Sequence, residues 1–216
     1  ADTYADLGNI INADNHRVNN AVAYINKFGP VGFAYAHATG TGMDSATLLG
    51  GAQDPAFAKG DNGADADTLM VNYGNGPWYA GLGYTKVKSN TSAAFNGYKR
   101  TKLGLGWKAE AGHQANLILE DSKSEVAADG KNKSALINGV YKMGNVALKA
   151  QYGERKHSGS AAALNGKEKL TSVGADYNLG KKTAVYLLHS DNKNTDATVG
   201  GLARTKATAV GLVTEF

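Results

Sequence analysis

An all-β protein, folded as an antiparallel transmembrane β-barrel, is what this sequence predicts. Three observations carry that prediction. Apolar and polar residues alternate with period 2 in blocks of about ten, each bounded by Gly, Asn, Asp or Ser. Glycines recur inside those blocks (GLGY, LGLGW, INGVY, SVGADY), where each would cost a helix about 1 kcal/mol. Short and long connections alternate along the whole chain, which puts every tight turn of a meander at one end and every long loop at the other.

The strands follow in order. The blocks fall at 17–28, 31–40, 67–74, 77–88, 98–110, 113–124, 133–143, 145–157, 168–179, 182–192 and 203–216. Tight turns sit at FGPV (28–31), GNGP (74–77), EAGH (110–113), MGN (143–145) and LGKK (179–182). The intervening connections, near 41–66, 89–97, 125–132, 158–167 and 193–202, are longer. A sandwich with Greek-key crossovers has no reason to keep this order.

Faces follow from parity. Leu103, Leu105, Trp107 and Ala109 share one face, opposed by Arg100, Lys102, Gly104, Gly106 and Lys108. Ala115, Leu117 and Leu119 oppose Gln114, Asn116 and Glu120. Val146, Leu148, Ala150 and Tyr152 oppose Ala147, Lys149, Gln151, Gly153 and Arg155. Thr171, Val173, Ala175, Tyr177 and Leu179 oppose Ser172, Gly174, Asp176 and Asn178. In KTAVYLLHS (182–190), Val185/Leu187 and Tyr186/Leu188 are both plausible outward sets. In the last block, Thr208, Val210, Leu212 and Thr214 face outward, and Ala209, Gly211, Val213 and Glu215 face the lumen. Aromatics cluster near the tight turns (Phe28, Tyr73, Trp78, Trp107, Tyr141, Tyr177 and Phe216), where an interfacial girdle would lie.

Composition bounds the function. The 216 residues have 28 glycines, 42% hydrophobic content and a mean hydropathy of −0.35, with no apolar run of helix-spanning length. That test does not apply to barrels, in which only every second residue meets lipid. There are no cysteines, so disulfides and thiolate metal sites are excluded. A net charge of +4 from 23 basic and 19 acidic residues is a weak argument for nucleic acid, and none is expected as a partner. The start, ADTYADLGNIINADN, resembles no signal peptide.

The sequence resembles the general, trimeric porins of Gram-negative outer membranes, of the proteobacterial 16-stranded type. The resemblance rests on HRVNNAVAYINKFGPVGFAYAHA (16–38), YGNGPWYAGLGYT (73–85), SVGADYNLGKKTAVYLLHSDN (172–192) and the ending TAVGLVTEF (208–216). It implies an outer-membrane location, a water-filled channel for passive diffusion of small hydrophilic solutes, a homotrimer and contact with lipopolysaccharide. It also implies that Phe216 is read by the assembly machinery. Bacterial single-chain barrels have an even strand count, and an open edge is forbidden in lipid. Eleven strands are therefore expected to be the C-terminal part of a 16-stranded porin, forming one barrel domain over 1–216. Residues 1–16 would belong to the constriction or an external loop. A smaller barrel of 10 or 12 strands is the alternative.

Candidate site residues follow the same frame. A basic inward bias is set by Arg100, Lys102, Lys108, Lys142, Lys149 and Arg155. By resemblance, Arg17 is the arginine that projects into the eyelet, facing Asp2, Asp6 and Asp14 of the constriction loop. Fixed charge there would set a transverse field and a weak anion preference. The plainer alternative is that these bases snorkel or meet lipid phosphates. Trp78, Trp107, Tyr141, Tyr177 and Phe216 are the girdle and assembly set. Asp61, Asp65 and Asp67 could gather round Ca²⁺, but no full ligand set is visible, and a solvated loop accounts for them better. The histidines (16, 37, 113, 157, 189) lack metal-ligand spacing, no catalytic order of Ser, His and Asp stands out, and no enzyme or cofactor is expected. Other readings are a small barrel or surface β-protein whose long loops, chiefly 41–66, bind a partner, and a soluble β-sandwich module.

Overall fold

The computed structural model describes residues 11, 21–39, 64–89, 95–126, 130–159, 165–180, 182–195 and 203–214. They form one antiparallel sheet of eleven strands whose spatial order is the chain order. The strands are β1 (Ala21–Phe28), β2 (Val31–Ala38), β3 (Ala64–Asn75), β4 (Trp78–Ser89), β5 (Phe95–Lys108) and β6 (Gln114–Val126). They continue as β7 (Lys131–Met143), β8 (Val146–Ser158), β9 (Gly166–Asn178), β10 (Thr183–Asn194) and β11 (Ala203–Thr214). All eleven expected blocks are strands, and no helix occurs among the described residues.

Four of the tight turns contain a glycine with positive φ: Gly29 (58°), Gly76 (55°), Gly112 (85°) and Gly144 (54°). Only residues tolerant of that region reverse the chain so sharply. The strands outrun their expected limits at the other end. β3 starts at Ala64 and not at 67, β5 starts at Phe95, and β7 starts at Lys131. In β3 and β7 the apolar alternation stops there because outward positions become charged (Asp65, Lys131), and in β5 it is broken by the register shift at Gly97, while backbone pairing continues.

Register fixes the two faces. Across β4, β5 and β6, Trp78 pairs with Trp107 and Trp107 with Ala115, and Leu82 with Leu103 and Leu103 with Leu119. In the next pairs, Ile137 meets Tyr152 and Val146 meets Tyr177. Tyr177 meets Val185, and Val185 meets Leu212, which puts Val185 and Leu187 on the apolar face and Tyr186 and Leu188 on the opposite one. Val210 and Leu212 point outward as expected, and Gly211 and Val213 inward.

The polarity of the two faces is inverted relative to a soluble protein. Large apolar side chains are exposed on the outer face, among them Val22, Leu82, Leu105, Ile137, Leu148, Val173, Leu187 and Leu212. The buried side chains all have inward parity and are largely polar: Arg100, Glu120, Ser122, Asn132, Ser134, Glu168, Ser172, Ser190 and Asn192, beside Val87, Tyr98 and Leu170. A water-soluble domain does not expose so broad an apolar surface, and a sandwich would bury that face against a second sheet. All the described strands belong to the single sheet, so the soluble sandwich is not adopted.

One glycine holds the loop end of β5 in place. Gly97 has φ +123° at a register shift between Phe95 and Tyr98, and a Cβ there would stand on the Val87 carbonyl oxygen. Gly97→Ala is expected to cost about 1–3 kcal/mol through backbone strain alone. Urea unfolding in detergent would show this as a lowered midpoint at unchanged slope, and an unshifted midpoint would mean the bulge relaxes freely.

Candidate functional site

Two aromatic rows frame the outer face. Next to the turns lie Phe28, Tyr73, Trp78, Trp107, Tyr141 and Tyr177, all on the outward side. Trp78 and Trp107 meet at 6.4 Å between centroids, and Tyr141 stacks on His113 at 4.6 Å. A second row, which the sequence reading did not single out, lies toward the loops: Tyr24, Tyr35, Tyr84 and Tyr152. The Tyr35 hydroxyl donates to Asp67 Oδ1 (2.8 Å), so its polar tip has a partner beyond the apolar band. From Trp78 to Tyr84 is six residues, about 20 Å along a strand. Amphipathic rings on either side of an apolar belt are what a bilayer with two water interfaces selects.

The inner face carries the charges. Arg100, Lys102, Lys108, Lys142, Lys149 and Arg155 all have inward parity, together with Lys27. Among the described residues, Lys102, Arg155 and Lys149 stand beside carboxylates. Lys102 Nζ lies 3.6 Å from Glu120 Oε2, whose side chain is fully buried. Arg155 Nη2 donates to Glu168 Oε2 (2.8 Å), and Asn192 Nδ2 donates to Glu168 Oε1 (2.8 Å). Lys149 is in direct contact with Asp176. Lys108 and Lys142, exposed at the turn end, enter no ion pair among the described residues. Arg100 is 2% exposed, with its guanidinium 5.3 Å from the centroid of the Tyr98 ring.

Polar side chains fill the space between these pairs. Asn116 Nδ2 donates to Asn138 Oδ1 (2.9 Å), the Ser172 and Ser190 hydroxyls are hydrogen-bonded, and His157 Nδ1 meets Asn132 Oδ1. Two aromatic rings lie over wall glycines. Tyr186 covers Gly211, where a Cβ would come within 2.5 Å of the ring, and Tyr79 covers Gly81. The wall therefore presents alternating charge, amide and hydroxyl groups to whatever fills the lumen.

The bases stand out in the sequence, but their partners do not. Lys102 and Glu120 are directly opposite across the hairpin turned at Gly112, so counting back from that turn would have found the pair. Arg155 and Glu168 are also opposite, but a long loop joins their strands and fixes no register. Arg17, Asp2, Asp6, Asp14, Asp61, His16 and Phe216 lie outside the described residues. Asp67 bonds to Tyr35 and His37 on the outward face, and no metal-binding group of acids or histidines occurs among the described residues.

An apolar belt between aromatic rows, with a polar, ion-paired wall behind it, defines a transmembrane β-barrel protein of the outer-membrane type. A family model for Gram-negative porins matches residues 1–197, and the chain belongs to that family. Solved structures agree on the fold. A porin has a TM-score of 0.66 at 15% identity, covering 91% of this chain and 61% of its own. The outer-membrane channel DcaP of Acinetobacter baumannii gives 0.64 at 16%, with coverages of 89% and 60%. OmpT of Vibrio cholerae, expressed in the outer membrane, gives 0.55 at 11%, with 89% and 61%. The chain thus spans about three fifths of the length of these proteins. No curated protein matches it.

Proposed function

We propose that this chain forms most of the wall of an outer-membrane porin, a water-filled channel for passive diffusion of small hydrophilic solutes and ions, with no catalytic role. The inverted polarity of the two faces carries this reading: lipid-compatible side chains outward, a charged and hydrogen-bonded surface inward. Barrels of 16 to 18 strands leave an aqueous lumen, whereas about eight strands are filled by their own side chains. Eleven strands with five more would make a 16-stranded barrel, in which residues 1–16 belong to the constriction. A homotrimer, contacts with lipopolysaccharide and delivery by the assembly machinery through Phe216 complete the proposal.

The lumen wall supports a weak anion preference. Its bases outnumber its acids even after Glu120, Glu168 and Asp176 are set against Lys102, Arg155 and Lys149. Lys108 and Lys142 at the turn end, which enter no ion pair among the described residues, add positive charge where solutes leave or enter. In planar bilayers under a salt gradient, Lys108→Glu/Lys142→Glu is expected to move the reversal potential toward cation preference. Arg17→Glu is expected to do so more strongly, because a constriction focuses its field. Conductance steps with an unmoved reversal potential would remove these residues from selectivity, and no steps at all would end the channel reading.

A further inference from the structure

Beyond the upper aromatic row, the outer face becomes a collar of bases arranged in cross-strand ladders. Lys86 is opposite Lys99, Lys99 opposite Lys123, and Lys123 opposite Lys131. Lys133 is opposite Lys156, and Lys156 opposite Lys167. Lys169 is opposite Lys193, and Lys193 opposite Arg204. Like charges directly across an antiparallel pair repel and destabilise it, so three such ladders side by side call for a counter-charge.

Asp191 answers Arg204 in the third ladder, but around Lys131, Lys133, Lys156, Lys167 and Lys169 the described carboxylates are fewer than the bases. Asp121 is shared by Lys131 (3.5 Å) and Lys133 (3.9 Å). Glu154 is shared by Lys156 (3.7 Å), Lys167 (2.8 Å) and Lys169 (3.9 Å). Two carboxylates thus serve five ammonium groups. Beside them, Lys131, Lys133, Lys156 and Lys167 line a recess of about 420 Å³, with Ser158 and Asn165 as further polar edges. Its place on the lipid-facing side, at the long-loop end, is the headgroup level of the outer leaflet.

We infer that this recess seats the phosphate of an outer-leaflet glycolipid headgroup, held by lysines directly and without a bridging divalent cation. The inference rests on the outer-membrane placement proposed above. Phosphate is the fitting ligand because its charge meets several ammonium groups at once. The lysines are the direct ligands in this arrangement, since Asp121 and Glu154 are each engaged with them and the described residues contain no group of three acids or histidines for a metal ion.

Native mass spectrometry of the purified full chain in a non-ionic detergent tests this, with diphosphoryl lipid A as the probe. Binding is expected to persist in EDTA, and to fall at least tenfold for dephosphorylated lipid A and for Lys131→Gln/Lys133→Gln/Lys156→Gln/Lys167→Gln. The four Lys→Arg replacements should keep it, as should Lys182→Gln at the turn end. Release by EDTA, equal binding of the dephosphorylated lipid, or equal binding of phosphatidylglycerol would each overturn the inference. Heat-modifiable gel mobility separates the two failures. Its absence in the parent protein defeats the barrel reading, whereas lipid binding undiminished in a glutamine variant that keeps the shift defeats this inference alone.

Discussion

Leu82→Arg is expected to destabilise the folded sheet in a bilayer by about 2–4 kcal/mol, the cost of a charge on the lipid face near the midplane. Leu82 lies four residues from Trp78 and four from Lys86, midway across the apolar belt, and is 46% exposed. The next residue is the control. Gly83 faces the lumen, and a Cβ there would meet nothing within 4 Å. Gly83→Ser should therefore change stability by no more than about 0.5 kcal/mol. Urea unfolding from lipid vesicles measures both. Equal effects at the two positions would mean that the sheet does not separate lipid from water.

Glu168→Gln is expected to lose about 3 kcal/mol, because its carboxylate is an almost buried acceptor for two donors. Arg155 would keep its charge and lose its counter-ion, and Asn192 would face an amide in place of an anion. The same change removes a negative charge from the lumen wall, so the reversal potential should move toward anion preference while stability falls. Glu154→Gln provides the contrast. Its carboxylate sits on the outward face among exposed lysines, where ion pairs contribute about 0–1 kcal/mol. That variant should leave selectivity unchanged. If Glu168→Gln alters neither quantity, the Arg155–Glu168 pair is a surface contact and no part of the wall.

Most of the architecture was legible from sequence because a barrel strand repeats a single decision, lipid or lumen, at every second residue. Leu103, Leu105 and Trp107 against Lys102, Gly104 and Gly106 is such a record, and the register confirms it. The faces of β10 were not legible, since Val185, Tyr186, Leu187 and Leu188 are apolar on both parities. Only pairing with Tyr177 and Leu212 settles which pair meets lipid. The reason for the ambiguity is visible in the structure: Tyr186 is an inward ring lying over Gly211, an apolar residue with a lumenal task.

The candidate site was less legible than the fold. Bases stand out along a strand, but whether a base is paired depends on register. Across the Gly112 turn, register is local and Lys102 with Glu120 could be counted out; across the loop joining β8 to β9 it could not. The lysine ladders were hidden for the same reason, and also because their charges made the upper strands look like loop. Lys131, Lys167 and Lys193 lie in strands just beyond the limits that the alternation set.

The order of the strands has a kinetic meaning as well. Every pairing in the sheet joins neighbours along the chain, so each new strand needs only its own connection closed before it can add. Closure entropy rises slowly with loop length, and nearest-neighbour contacts keep the search local. A wide sheet of this kind can grow one hairpin at a time. Tight turns such as Gly76–Pro77 and Gly144–Asn145 would form hairpins early, with the longer connections joining them afterwards.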